Sequence, residues 1–561
     1  MQDTQFILPV PTFYIKFLPL KRTIMIPEEN VQEPISLSLT PYTGSWTKAE
    51  AAHLLRRTMF GPTFNQITQA VTNGMNATVA QLLTPASVSP PLAFHPDEAV
   101  TAVGSTWIND VYPSSNPSMT NNARLYSLGA WFMQRINQPN MSIQEKMCLF
   151  WDNHFGVDGT NEAKAVYGMH EKYRLNYLGN FKQLVKDMTI DPMMLLFLNG
   201  ATNNPFSPNE NYARELLELF TVGKGPQVGP GDYSNYTEAD VAAGAKILTG
   251  WTVTDLYSTT ASQPSNVFYP ILHDTSSKTL SPYFGSTVIP DAGNLEYANY
   301  IDVIFSQPDM AKYLCRKIYR WFVNYDLTPS VESTVIADMA STLSSNNFEV
   351  LPVIEQLLKS EHFYDISVRG SIIKNPLELL FSMLNASGSA PAYTVPVNYE
   401  IYLNLYYLAQ VMGMEYLRAP SVGGWTAYYQ TPAFSRLWAN SSLLKLRFDL
   451  GSYMTITPGI VVNGNPFKLD ALNLVNNLSL PSSAPQVIDD ILTVFTCKGV
   501  SVTEKAVLKS ILTNGQPDFE WTIQYNDYLA DPGNTTVSTP VRQRIEFVLY
   551  RLFQLPESQV I

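Results

Sequence analysis

A chain of 561 residues that is 45% hydrophobic and only 15% charged, with 31 Tyr and 27 Phe, has the apolar side chains for a large core, which excludes a disordered chain. Its formal net charge of -12 repels a phosphate backbone and no stripe of Lys and Arg offsets it, so nucleic acid is excluded as a partner. No stretch of the body approaches about 18 uncharged apolar residues, so no membrane span is expected.

The N-terminus is apolar from Phe6 to Leu20, but Pro9, Pro11, Lys16 and Pro19 interrupt it and Asp3 precedes it. That is a poor signal peptide and too short a segment to cross a bilayer. Met25 reads as a start, with residues 1–24 an upstream piece of a partly disordered extension, 1–45.

Beyond it, helix-opening signals recur. Thr47 with Glu50 forms a capping box ahead of Ala51–Arg57, since hydroxyl and carboxylate can satisfy each other's free backbone amides. Ser142 with Glu145 repeats the pattern before Met147–Phe155, and Thr237 with Asp240 before Val241–Leu248, which stops at Gly250. Asp191-Pro192 and Asn375-Pro376 put a capping side chain before a proline at the first helical position, and Glu378 completes a box with Asn375. Strand signals are scarce. Thr84–Pro96 reads as a surface connection and Trp251–Val288 as irregular loop with one hairpin. The expected fold is mainly α: a large, soluble, multi-helical body with irregular loops and at most minor β-hairpins. A motif-rich half, 46–290, carries the candidate polar site, and a helical half, 291–561, packs on it as one body.

Cys148, Cys315 and Cys497 are too far apart for a disulfide framework or a thiolate zinc site, and read as core thiols. Three polar groupings are better leads. Cys148–Phe155 sets Asp152, Asn153 and His154 in an aromatic helix, where a buried imidazole needs a partner: a backbone carbonyl, or a metal. In Pro208–Gly223, helical spacing puts Asn211, Arg214, Glu215 and Glu218 on one face. Two carboxylates within a turn can hold a cation or trade a proton, with Arg214 pinning one of them; the alternative is a solvated face with Arg214 and Glu218 as an ion pair. The third is His273-Asp274 with Lys278. No zincin, nucleophile-elbow, P-loop or dinucleotide signature is present.

Several segments resemble the bacterial domain-of-unknown-function 1800 family: Ala52–Arg57 through Phe60-Gly61-Pro62, Lys146–Phe155, Asn209–Gly223, Tyr236–Val241, Leu248–Trp251, His273-Asp274, Lys374–Leu379, and Pro420 with Gly424-Trp425. The resemblance runs from about Trp46 to the C-terminus. It implies an exported bacterial protein, with no established activity, often encoded beside a sulfatase-like protein, and so extracytoplasmic work on polysaccharide. Where the family is expected to read Trp-His-Asn-His-Phe, this chain has Trp151-Asp152-Asn153-His154-Phe155.

Two functions follow as expectations. One is a metal-assisted hydrolase with His154, Arg214, Glu215 and Glu218 as catalytic groups and a divalent metal drawn from His154, Glu215, Glu218, Asp152, His273 and Asp274, with Asn211 and Asp240 as secondary members. The other is a non-catalytic exported scaffold or carbohydrate-binding protein whose polar groups lock helices together.

Overall fold

The structure, a computed structural model, describes residues 36–561 apart from 139, 160, 230–231 and 261–262. The reading of residues 1–24 lies outside them. Ser36–Ile561 is one compact unit. The described end of the expected extension is tied down: the Ser36 amide donates to Asp365 Oδ2 at 2.8 Å and the Tyr42 amide to the Lys359 carbonyl at 2.7 Å.

Helix dominates, as expected. Strands among the described residues form four two-stranded antiparallel pairs. The capping boxes at Thr47, Thr237 and Asn375 form, and Asp191 caps Met193 and Met194. The Ser142 box does not: Gln144–Phe155 begins after Ile143 without a side-chain cap. Glu145 is instead drawn to the Arg174 guanidinium at 3.0 Å and to Arg135 at 3.5 Å, ionic partners stronger than a neutral amide. Thr237 is worth testing, because its hydroxyl both receives the Asp240 amide and donates to that carboxylate. Thr237→Ala is expected to cost about 1 kcal/mol in chemical denaturation.

The 251–288 region carries two hairpins where one was expected: Trp251–Thr254 with Ser265–Phe268, and Lys278–Thr279 with Val288–Ile289. The polar turns between these segments hide the pairing from a periodicity reading. Contacts cross the expected seam near 290. The helix Pro308–Phe322 packs its Tyr313 and Lys317 onto the chain at Leu219, and the Trp425 amide donates to Asn153 Oδ1 at 2.9 Å. Gly424 permits this approach, since a Cβ there would lie 2.3 Å from the Asn153 carbonyl oxygen. Cys148 and Cys315 are core thiols, their pKa pushed up by burial; Cys497 is half-buried. No helix among the described residues is long and apolar enough to cross a membrane.

Candidate functional site

The segment Asn209–Gly223 builds the centre of the site. Asn211–Glu215 is α-helical, but Leu216–Phe220 widens into a π turn, closed by Thr221 Oγ1 donating to the Leu216 carbonyl and by the Gly223 amide reaching back to Leu217. Such turns recur at functional sites, and the last carbonyls of any helix lack partners within it. Gly223 ends it with φ near +76°, against the Tyr313 ring, where a Cβ would lie 2.6 Å from a ring carbon.

Side chains from distant parts of the chain take up those carbonyls. His154 Nε2 is 3.1 Å from the Phe220 carbonyl; a carbonyl only accepts, so that nitrogen carries the proton and Nδ1 is free to accept from Lys317 Nζ at 3.3 Å. Lys317 also donates to the Leu219 carbonyl at 2.9 Å, and Tyr313 Oη does so at 2.8 Å. Burial holds the His154 pKa well below its ordinary value, with the Lys317 charge adding to the effect; burial and Arg320 bring Lys317 down to about 7. His154 is therefore a neutral core histidine bonded to a carbonyl, the simpler of the two readings its sequence allowed.

Above this support lie the two glutamates, both half-buried. Glu218 accepts from Tyr236 Oη at 2.9 Å and from Lys224 at 3.2 Å. Burial, and then the neighbouring Glu218 charge, raise the Glu215 pKa from its ordinary value. The Tyr233 ring is half-exposed beside them, 5.2 Å from Tyr236 and 4.8 Å below the Lys224 ammonium. A small cavity lined by Asn203, Asn209, Tyr212 and Trp251 has room for about one water.

Other expected members are used elsewhere. Arg214 does not pin Glu215 or Glu218: it grips Glu238 with two bonds of 2.6 and 2.7 Å and reaches Glu210 at 3.1 Å. Asn211 is exposed at the helix start, its amide capped by Asn209. Asp240 closes its capping box and accepts the Ser281 amide at 2.7 Å. Asp152 is not brought to His154, because residues two apart on a helix face different sides. It lies instead 3.2 Å from His170 Nε2, both side chains fully interior.

His273 and Asp274 form a second centre. His273 Nε2 is 3.0 Å from Glu296 Oε2, and Lys278 Nζ is 2.6 Å from Glu296 Oε1, all three buried. Asp274 faces its own turn: burial would raise its carboxyl, but Ser276 and then Lys278 hold it below the usual range. Among the described residues, the three-donor group with metal-ligand spacing is His273, Asp291 and Glu296. Among the described residues, His154, Asp152, Glu215, Glu218 and Asp274 belong to no such group. Lys317, Tyr236, His170, Asp291 and Glu296 were missed as site residues; Tyr236, which meets Glu218, is 18 residues from it along the chain, and no local signal marks any of the five.

No curated protein and no solved structure matches the chain. The family model described as protein of unknown function (DUF1800) matches residues 53–560, nearly the whole length, with the polar segments above inside it. The chain belongs to that family.

Proposed function

We propose that the protein is a hydrolase acting on a polar, extended substrate such as a polysaccharide outside the cytoplasm, with Glu215 as proton donor and Glu218 as the base that activates water. The observation that carries this reading is the unequal pair. Burial and a neighbouring carboxylate favour a proton on Glu215, while Glu218 is surrounded by the Lys224 ammonium and the Tyr236 hydroxyl. Two carboxylates whose surroundings differ in this way divide the acid and base roles of glycoside cleavage. In that step the Glu215 proton passes to the leaving oxygen as the sugar carbon–oxygen bond breaks, and water adds to the carbon as Glu218 takes its proton. The half-exposed Tyr233 ring, which carries the Lys224 ammonium on one face, leaves its other face and edge as the aromatic surface a sugar ring would meet.

His154, Lys317 and Tyr313 hold the turn that carries Glu218, so they position rather than react. Arg214, committed to Glu238 and Glu210, serves the same end. The test is reducing-end release from a panel of neutral and acidic polysaccharides. The wild-type protein is expected to cut at least one class and Glu215→Gln to bind the same polymer without cutting it. A wild-type protein that binds a polymer and never cuts would replace this reading with the non-catalytic, carbohydrate-binding one.

A further inference from the structure

We infer that His273, Asp291 and Glu296 form a divalent-cation site, independent of the Glu215–Glu218 pair, that fastens the 270–295 loop to the helix Glu296–Ile304. One donor atom from each residue lies within 4.8 Å of the other two. The tautomer of His273 gives this spacing its meaning. Nδ1 is 2.9 Å from the Thr249 carbonyl, which can only accept, so Nδ1 carries the proton. Nε2 faces Glu296 Oε2 at 3.0 Å and Asp291 Oδ1 at 3.7 Å, and in the neutral form of the ring it presents its lone pair to both.

The Gly293 amide donates to Asp291 Oδ1 at 2.9 Å and the Ala292 amide to Glu296 Oε2 at 3.4 Å; a divalent cation among the three donors offsets the remaining repulsion, as a proton on Nε2 would in its absence. A carbonyl on the far ring nitrogen is also the partner that orients metal-bound imidazoles. Lys278 does not fill the role. Its ammonium is engaged by Glu296 Oε1, by the Asp274 carbonyl and, at 3.7 Å, by Asp274 Oδ1, so Glu296 Oε2, which accepts only the long Ala292 amide bond beside His273, keeps a lone pair for the site. His273 and Glu296 are buried while Asp291 is exposed, which gives an ion an entry path and leaves one side open to a water ligand. One imidazole nitrogen with two carboxylates suits Zn²⁺ or Mn²⁺; a calcium cage needs more oxygens and a soft metal needs thiolates.

The competing arrangement is an imidazolium at His273 bonded to Glu296, with no metal. Full-length protein, stripped with chelator and titrated with Zn²⁺ or Mn²⁺ alone by calorimetry, is expected to bind one equivalent and to melt at a higher temperature. Asp291→Asn, exposed and therefore harmless to folding, is expected to weaken that binding by at least about tenfold, the scale seen on removing even a supporting partner of a ligand. Glu218→Gln is expected to leave it unchanged, so this site and the hydrolytic reading fail separately. Absence of stoichiometric binding, binding indifferent to Asp291→Asn, or a His273 ring with both nitrogens protonated in the presence of either metal would overturn the inference.

Discussion

Replacing Lys278 with methionine is expected to destabilise the fold by about 3–5 kcal/mol, the cost of leaving one member of a buried ion pair behind. The pair qualifies because both side chains are interior, with Lys278 Nζ 2.6 Å from Glu296 Oε1. Methionine keeps most of the volume, so the loss reports charge rather than a cavity. Two further measurements separate this from a packing effect. The double variant Lys278→Met with Glu296→Gln is expected to recover much of the loss, since neither charge is then stranded. Adding Zn²⁺ or Mn²⁺ to Lys278→Met is expected to restore part of the stability, because a cation bound to Glu296 Oε2 compensates the same carboxylate. A single variant as stable as wild type would show that water reaches Glu296 and that the pair is not a buried one.

That network illustrates which parts of the molecule could be read from the sequence. Helix starts were legible where two residues three apart decide the matter alone, as with Thr237 and Asp240. Ser142 and Glu145 have the same spacing, but the outcome there depended on Arg174 and Arg135, which arrive through tertiary packing. The polar site followed the same division. His154 and the Glu215–Glu218 face were visible as polar residues in apolar surroundings. Lys317, 163 residues from His154, was invisible because its meaning comes from the π turn it supports. The turn itself leaves no sequence mark, since Leu216–Phe220 would suit an ordinary helix. Asp152 was grouped with His154 by proximity along the chain, whereas the helix sends the two side chains to different neighbours, His170 and Phe220.

The largest effect is expected at Glu215. If it donates the proton to the leaving group, Glu215→Gln should reduce turnover by on the order of 10²–10⁴-fold, the usual worth of a positioned acid. The direction of its pKa shift adds a second signature. The folded state holds the Glu215 proton more tightly than the unfolded chain does, because burial and Glu218 disfavour the ionised form. The stability this confers is present below the unfolded pKa and is lost as pH rises through the folded value. Above that value the ionised carboxylate is a net cost, which glutamine does not carry. At pH 8 the variant is therefore expected to be at least as stable as wild type in chemical denaturation while being almost inactive. Wild-type activity is expected to fall along an alkaline limb as Glu215 loses its proton, with the midpoint above that of an ordinary glutamate. A structural glutamate would behave in the opposite way: its replacement would lower stability and leave the alkaline limb in place. A Glu215→Gln protein that still hydrolyses the polymer at the wild-type rate would remove Glu215 from the chemistry.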